Sequence, residues 1–341
     1  VGLSYHAYLN TRVTIFAQRL LDRRELERLV DLGDSVARGT TGNENLDLYL
    51  EILATTPPHP EQELLERQIG DFQVLLRPVS GSDRDFLSFA VRWFELANLK
   101  ALIRGKFANL SPQEIEAQLL DMGPFTRLPL KELLEAEDPM EMLRRLEQTS
   151  YAAIVRQARR VYEEEQELFS LDAAIDRRFF IGLAQRAKSV STGERRPMAE
   201  VVGSLLDRFN LLWLLRYRFA YGFPPAKTYY LLAATGRRLN ADILLSLAKL
   251  ESVEAVIERL PEALRERIEG LESITEIESR LEQENWEVAK RALKDQAHPV
   301  TRTFAYFVLR EGESRNVLAI LKGRRLGFPS DMVRFAVGLE A

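Results

Sequence analysis

A chain of 341 residues, 46% hydrophobic and 29% charged, has ample material for a large buried core. Its net charge of −4 argues against a dedicated nucleic-acid binder, whose phosphate contacts need a basic excess, and leaves room for local basic patches. With no cysteine, disulfides, thiolate nucleophiles, thiolate-ligated zinc and iron–sulfur clusters are excluded, which fits a reducing cytoplasm.

In chain order, apolar residues recur at three and four over 27–38, 60–77, 86–103, 141–169, 241–260 and 274–295, the period of amphipathic helices. Gly, Pro, Asn and Ser clusters separate them at 38–45, 55–60, 77–85, 189–197, 222–227 and 297–300. No stretch sustains a period of two with β-branched enrichment, so the expected fold class is all-α. The longest apolar runs, LLWLL (211–215) and YYLLAA (229–234), fall far short of the about 20 residues of a membrane span. The sequence opens at Val1 with no charged-then-apolar leader pattern, so no secretory signal is expected. His6, His59 and His298 are scattered without ligand spacing, and no nucleotide-cradling glycine motif occurs, so neither a metal nor a cofactor is expected. Asp172 and Asp176, at i and i+4, share a helix face and are expected to pair with Arg177 or Arg178 rather than to begin a metal site. The acidic run at 163–167 reads as a solvated helix face.

One pattern occurs three times, as ELANLKALIRGK (95–106), DRFNLLWLLRYR (207–218) and ESRNVLAILKGR (313–324). Counted from the asparagine, an acid stands at −3, aliphatics at +1, +4 and +5, and bases at +6 and +8. The asparagines, Asn98, Asn210 and Asn316, are 112 and 106 residues apart. GFPP (222–225) and GFPS (327–330) follow the second and third copies, and Ser111–Pro112 follows the first. A second marker, Leu26, Leu133 and Leu244, precedes the asparagines by 72, 77 and 72 residues. Two markers in one phase divide the chain into helical repeats 1–110, 111–223 and 224–341. The period is far longer than that of solenoids, so three small helical domains about a pseudo-threefold axis, with a concavity between them, are expected.

At 100° per residue the acid, the asparagine and the +8 base share a flank with the aliphatic stripe, whereas the +6 base points away. Acid and +8 base are about 16 Å apart along a helix, so each must find a partner on another element or on the next repeat. The trios Glu95/Asn98/Lys106, Asp207/Asn210/Arg218 and Glu313/Asn316/Arg324 are therefore read as polar locks that hold packing. An active site is usually built once per chain, while packing chemistry repeats with the fold. Arg104, Arg216 and Lys322, with Arg325, Phe223 and Phe328 nearby, are left as candidate partner contacts, against the plain alternative of solvated side chains. The base-rich KGRR (322–325) also admits an enzyme or adaptor taking an anionic ligand at the third helix end.

On these motifs the sequence resembles the C subunit of the A-type/V-type rotary ATPases, called the d subunit in the eukaryotic enzyme. ELANLKALIRGK is similar to that family's first-repeat motif, RFFIGLAQRAK (178–188) to its second-repeat helix start, and RNVLAILKGRRLGFP (315–329) to its closing helix. Tyr217 departs from it, since the other copies carry Gly105 and Gly323 there, which puts close helix approach in the middle copy in doubt. The resemblance implies a non-catalytic rotor part, a funnel of three helical domains. It would be seated on the membrane proteolipid ring and receive the foot of the central stalk. It also implies a cytoplasmic protein, peripheral to the membrane through the ring, with no span and no nucleic-acid partner, monomeric in isolation.

Overall fold

The structure, a computed structural model, describes residues 2–31, 41–165, 168–271 and 273–339. The second half of the helix expected over 27–38, the start of the 38–45 loop and the end of the acidic run at 163–167 lie outside these residues. The described chain is built of helices and their connections. It contains no β-strand, only an isolated antiparallel bridge between Thr235 and Asn240. The all-α expectation is met.

Helix starts follow local chemistry. Ser111 accepts a hydrogen bond from the Glu114 amide while Glu114 accepts one from the Ser111 amide, closing a capping box on helix Pro112–Glu116. The side chains of Asp138, Asn240 and Ser252 likewise accept from the first-turn amides of the helices that follow them. Pro60, Pro225 and Pro299 stand in first turns, where the absent amide hydrogen is not missed.

The chain forms two compact units, one made of Val1–Ser80 with Ser279–Ala341 and the other of Gly81–Glu278. In the discontinuous unit, helix Pro299–Arg325 runs among Gly2–Ala17, Arg23–Asp31, Glu44–Thr55, Pro60–Leu76 and Ser330–Ala336. Every residue from Pro299 to Arg310 is buried, so this half of the helix is enclosed on all sides. Leu29, Leu46, Tyr49 and Ile52 share one core with Val317, Ile320, Leu321 and Val333, which joins early and late parts of the chain. Each fully buried aliphatic side chain contributes roughly 1.5–3 kcal/mol relative to exposure.

In the continuous unit, helix Gly81–Phe107 packs on Leu168–Ala187, which packs in turn on Arg195–Leu215. Phe89 stacks on Phe179 at 5.2 Å, and Phe180 lies 4.2 Å from Phe209, between ring centres. Asp172 and Asp176 pair with Arg104 and Lys100 of the Gly81–Phe107 helix rather than with Arg177 or Arg178. Neighbours in sequence turn 100° away around a helix, and Arg177 instead donates to the Leu232 carbonyl at 2.9 Å. Burial raises the Asp176 carboxyl above the usual range, and Lys100 opposes that shift.

Candidate functional site

The three trios sit on three separate helices, Gly81–Phe107, Arg195–Leu215 (with the turn that extends it) and Pro299–Arg325, and each holds a separate stretch of main chain. In the first copy, Glu95 accepts from the amides of Arg127 (2.5 Å) and Leu128 (2.7 Å). The Asn98 side chain donates to the Leu120 carbonyl at 2.7 Å and accepts from the Leu120 amide at 2.8 Å. Lys106 donates to the carbonyls of Leu134 and Ala136. In the second copy, Asp207 accepts from the Arg238 and Leu239 amides, Asn210 pairs both ways with Ala233 at 2.8 and 2.9 Å, and Arg218 donates to the Leu250 carbonyl. The carboxyl of Asp207 is raised by burial, with the two amides pulling the other way.

The third copy takes hold of the start of the chain. Glu313 accepts from the Leu21 amide, and Arg324 donates to the Leu29 carbonyl at 2.7 Å. Counted by the sequence thirds, each trio thus grips the opening of the next third, cyclically: 1–110 holds 120–136, 111–223 holds 233–250, and 224–341 holds 21–29. Asn316 breaks the pattern. It is buried, yet among the described residues its side chain has no hydrogen-bond partner.

The helix ends repeat as well. Asn109, Gly222 and Gly327 each adopt the left-handed conformation, at φ 54°, 68° and 68°, and terminate their helices. A Cβ on Gly105 would lie 2.5 Å from Ile115, and one on Gly323 2.7 Å from Val333, so glycine permits the next short helix to approach in copies one and three. In the middle copy Tyr217 is buried in a π-helical turn, Arg216–Ala220. That turn accommodates one extra residue. The left-handed cap falls twelve positions after Asn210 but eleven after Asn98 and Asn316. The bulge thus accommodates a side chain at a position that the other copies leave bare.

Sequence reasoning missed a charged layer behind the acids. Arg310 is fully buried, 3.4 Å from Glu313, and its Cζ lies 5.3 Å from the Tyr49 ring centre; Tyr49 in turn donates to Glu313 at 3.1 Å. The first copy mirrors this. Arg92 lies over the Tyr151 ring, and Tyr151 donates to Glu95. In the second copy the Arg238 side chain reaches Asp207 instead. An arginine six positions before the asparagine in copies one and three was the available signal. Burial pushes the Glu313 carboxyl up to about 7, against the opposing pull of Arg310 and the Leu21 amide, and lowers Arg310 to about 10.

The candidate partner contacts differ among themselves. Arg104 is tied to Asp172, and Arg216 to Glu278 at 2.6 Å. Phe223 packs among Phe169, Tyr217 and Tyr221 with Lys227 over its ring. Lys322 and Arg325 are exposed, with no ion-pair partner among the described residues. Beside them Leu326, Phe328 and Met332 are 56%, 47% and 51% exposed, forming an apolar and basic tip on the third helix. Arg324, inside the same KGRR run, is committed to Leu29.

None of these groups forms a nucleophile–base pair. Among the described residues no cluster of three or more acidic or histidine side chains is placed to hold a metal, and no helix is long and apolar enough to cross a membrane. The arrangement is suited to fixing segments and presenting helix tips. The family model described as ATP synthase (C/AC39) subunit matches residues 9–335. The C subunit of the A-type ATP synthase of Methanocaldococcus jannaschii is 26% identical, over 95% of this chain and 84% of that protein. Those of Methanosarcina mazei and Halorubrum lacusprofundi are 24% and 28% identical, each over 98% of this chain and over 92% and 97% of their own lengths. The chain therefore belongs to the ATP synthase (C/AC39) subunit family.

Proposed function

We propose that this chain is the C subunit of an A-type ATP synthase, a non-catalytic rotor part that couples the central stalk to the membrane proteolipid ring. The observation that carries the reading is the threefold recurrence of one polar lock, running cyclically from each third of the sequence to the next. Three related helical domains, repeats 1–110, 111–223 and 224–341, arranged as a funnel about a pseudo-threefold axis would provide a socket. Torque transfer needs stiffness, and main-chain groups held by each lock supply it, because a displaced segment leaves buried polar groups unpaired. Association with the membrane is then indirect, through the ring, and the protein is cytoplasmic and monomeric in isolation. The exposed tip at Lys322, Arg325 and Phe328 is the best-presented contact surface, while Arg104, Arg216 and Phe223 serve only after their present partners release them.

The test is binding of the purified protein to isolated central-stalk proteins and, separately, to detergent-solubilised proteolipid ring, with nucleotide turnover measured alongside. Saturable binding to both without turnover supports the socket. Binding to neither overturns it, and turnover by the isolated chain would favour an enzyme with an anionic substrate at the third helix end.

A further inference from the structure

Asn316 lies at the wall of a cavity of about 490 Å³ within the discontinuous unit, the size range of ligand sites. Leu20, Leu26, Leu293 and Leu309 give it apolar walls, Trp286 contributes one side, and the exposed Lys290 and Asp22 stand among its polar lining residues. The sister copies supply the interpretation. At the same helical position Asn98 and Asn210 each hold a non-helical residue, Leu120 or Ala233, through a donor and an acceptor bond of 2.7–2.9 Å. Each of these residues comes six to eight positions before the leucine whose amide binds the copy's acid, Leu128 or Leu239.

In the third copy that leucine is Leu21, and the residues at the same distance before it lie inside helix Gly2–Ala17. Helical amides and carbonyls bond to one another, and the turn that follows uses the Arg19 and Leu20 amides internally as well. No main-chain amide of this stretch is left for Asn316. A side chain about nine-tenths buried, carrying one donor group and one acceptor, faces a cavity with its usual counterpart missing.

We propose that this cavity is a docking site for an extended, aliphatic-rich peptide segment supplied by a partner protein, one backbone amide of which pairs with Asn316 as Leu120 and Ala233 pair with Asn98 and Asn210. The occupant's aliphatic side chain enters the leucine-lined wall. Its recognition is of main chain in irregular conformation, so the segment is not a helix. The inference does not depend on the rotor reading, because it rests only on the comparison of the three copies.

The probes are two synthetic peptides taken from the chain's own sister segments, residues 117–123 (AQLLDMG) and 230–236 (YLLAATG), dye-labelled and titrated with the intact protein by fluorescence anisotropy. Saturable binding by at least one peptide is expected, weakened about tenfold or more by Asn316→Leu, the loss of two amide hydrogen bonds. The same variant is expected to melt like the parent, since no hydrogen bond inside the fold is removed and leucine matches asparagine in size. Failure of both peptides to bind, or binding indifferent to Asn316→Leu, overturns the proposal. So does a loss of thermal stability in Asn316→Leu comparable to that in Asn98→Leu, which would make Asn316 a packing residue.

Discussion

Removing the Asn98 amide strands the Leu120 N–H and C=O groups together, and the same holds for Asn210 and Ala233. Each buried polar group left unpaired costs about 1–3 kcal/mol, so Asn98→Leu and Asn210→Leu are predicted to destabilise by roughly 2–6 kcal/mol in denaturant titration. Asn316→Leu is predicted to stay within about 0.5 kcal/mol of the parent. Glu313 carries a different signature. Its carboxyl is raised from 4.5 to about 7 by burial, so between those values the folded state binds more protons than the unfolded one. Its contribution to stability is therefore full below pH 4.5 and falls as pH rises through 7, with a slope approaching about 1.4 kcal/mol per pH unit within that window. Glu313→Gln is predicted to flatten this part of the stability–pH curve, as a series of thermal melts across that window and just above it would show; an unchanged slope would assign the dependence to other groups. The acids, the bases, Asn98 and Asn210 were legible from their common spacing, whereas Asn316, read as a lock, makes no such bond among the described residues. Arg310 and the two tyrosines were not legible, because Tyr151 and Tyr49 reach their acids across 56 and 264 residues and the middle copy substitutes Arg238.

The repeated helices differ most at their ends. Copies one and three bring Ile115 and Val333 against bare glycine, so Gly105→Leu and Gly323→Leu are each predicted to destabilise by about 1–3 kcal/mol or more through overpacking. A leucine at Gly222, where a Cβ meets nothing within 4 Å, tests the other role of glycine, since only the left-handed backbone at φ 68° resists it. Its smaller loss, about 1 kcal/mol, would separate backbone strain from crowding. The Gly–Tyr–Gly difference was visible in the sequence, but its solution was not. Only counting from the asparagine to the cap reveals the additional residue that the π turn accommodates, and no periodicity argument looks for an insertion of one inside a helix. The apolar period located helical segments, but it did not name Gly2–Ala17 or Glu44–Thr55, and two of its segments, 141–169 and 241–260, break into separate helices at 147–151 and 249–252. The enclosure of 299–310 on all sides was not legible, since a period describes a face and this segment has none.

Across the whole molecule, the placing of the three trios on three separate helices was readable from their spacing. The division of the chain into a continuous and a discontinuous unit was not, because it depends on which distant segments share a core, and local pattern is silent on that. Partner binding belongs to this scale. Phe328→Ser with Arg325→Glu is predicted to weaken binding to ring or stalk by about tenfold or more while leaving the melting temperature within about 2 °C, because both side chains are exposed. A matching loss of stability would place the pair in the fold rather than at a partner.

The discontinuous unit also imposes an order of events at the ribosome. Leu29, Leu46, Tyr49 and Ile52 are synthesised early, yet they share their core with Val317, Ile320, Leu321 and Val333. At a translation rate of roughly 5–20 residues per second, the early half waits tens of seconds for its other half. Meanwhile the continuous unit, Gly81–Glu278, has all of its own segments and can fold first. During that interval the nascent amino-terminal helices expose apolar faces, a natural substrate for holdase chaperones. Synthesis itself thus schedules the pairing of Glu313 with Leu21 and of Arg324 with Leu29 as the final step.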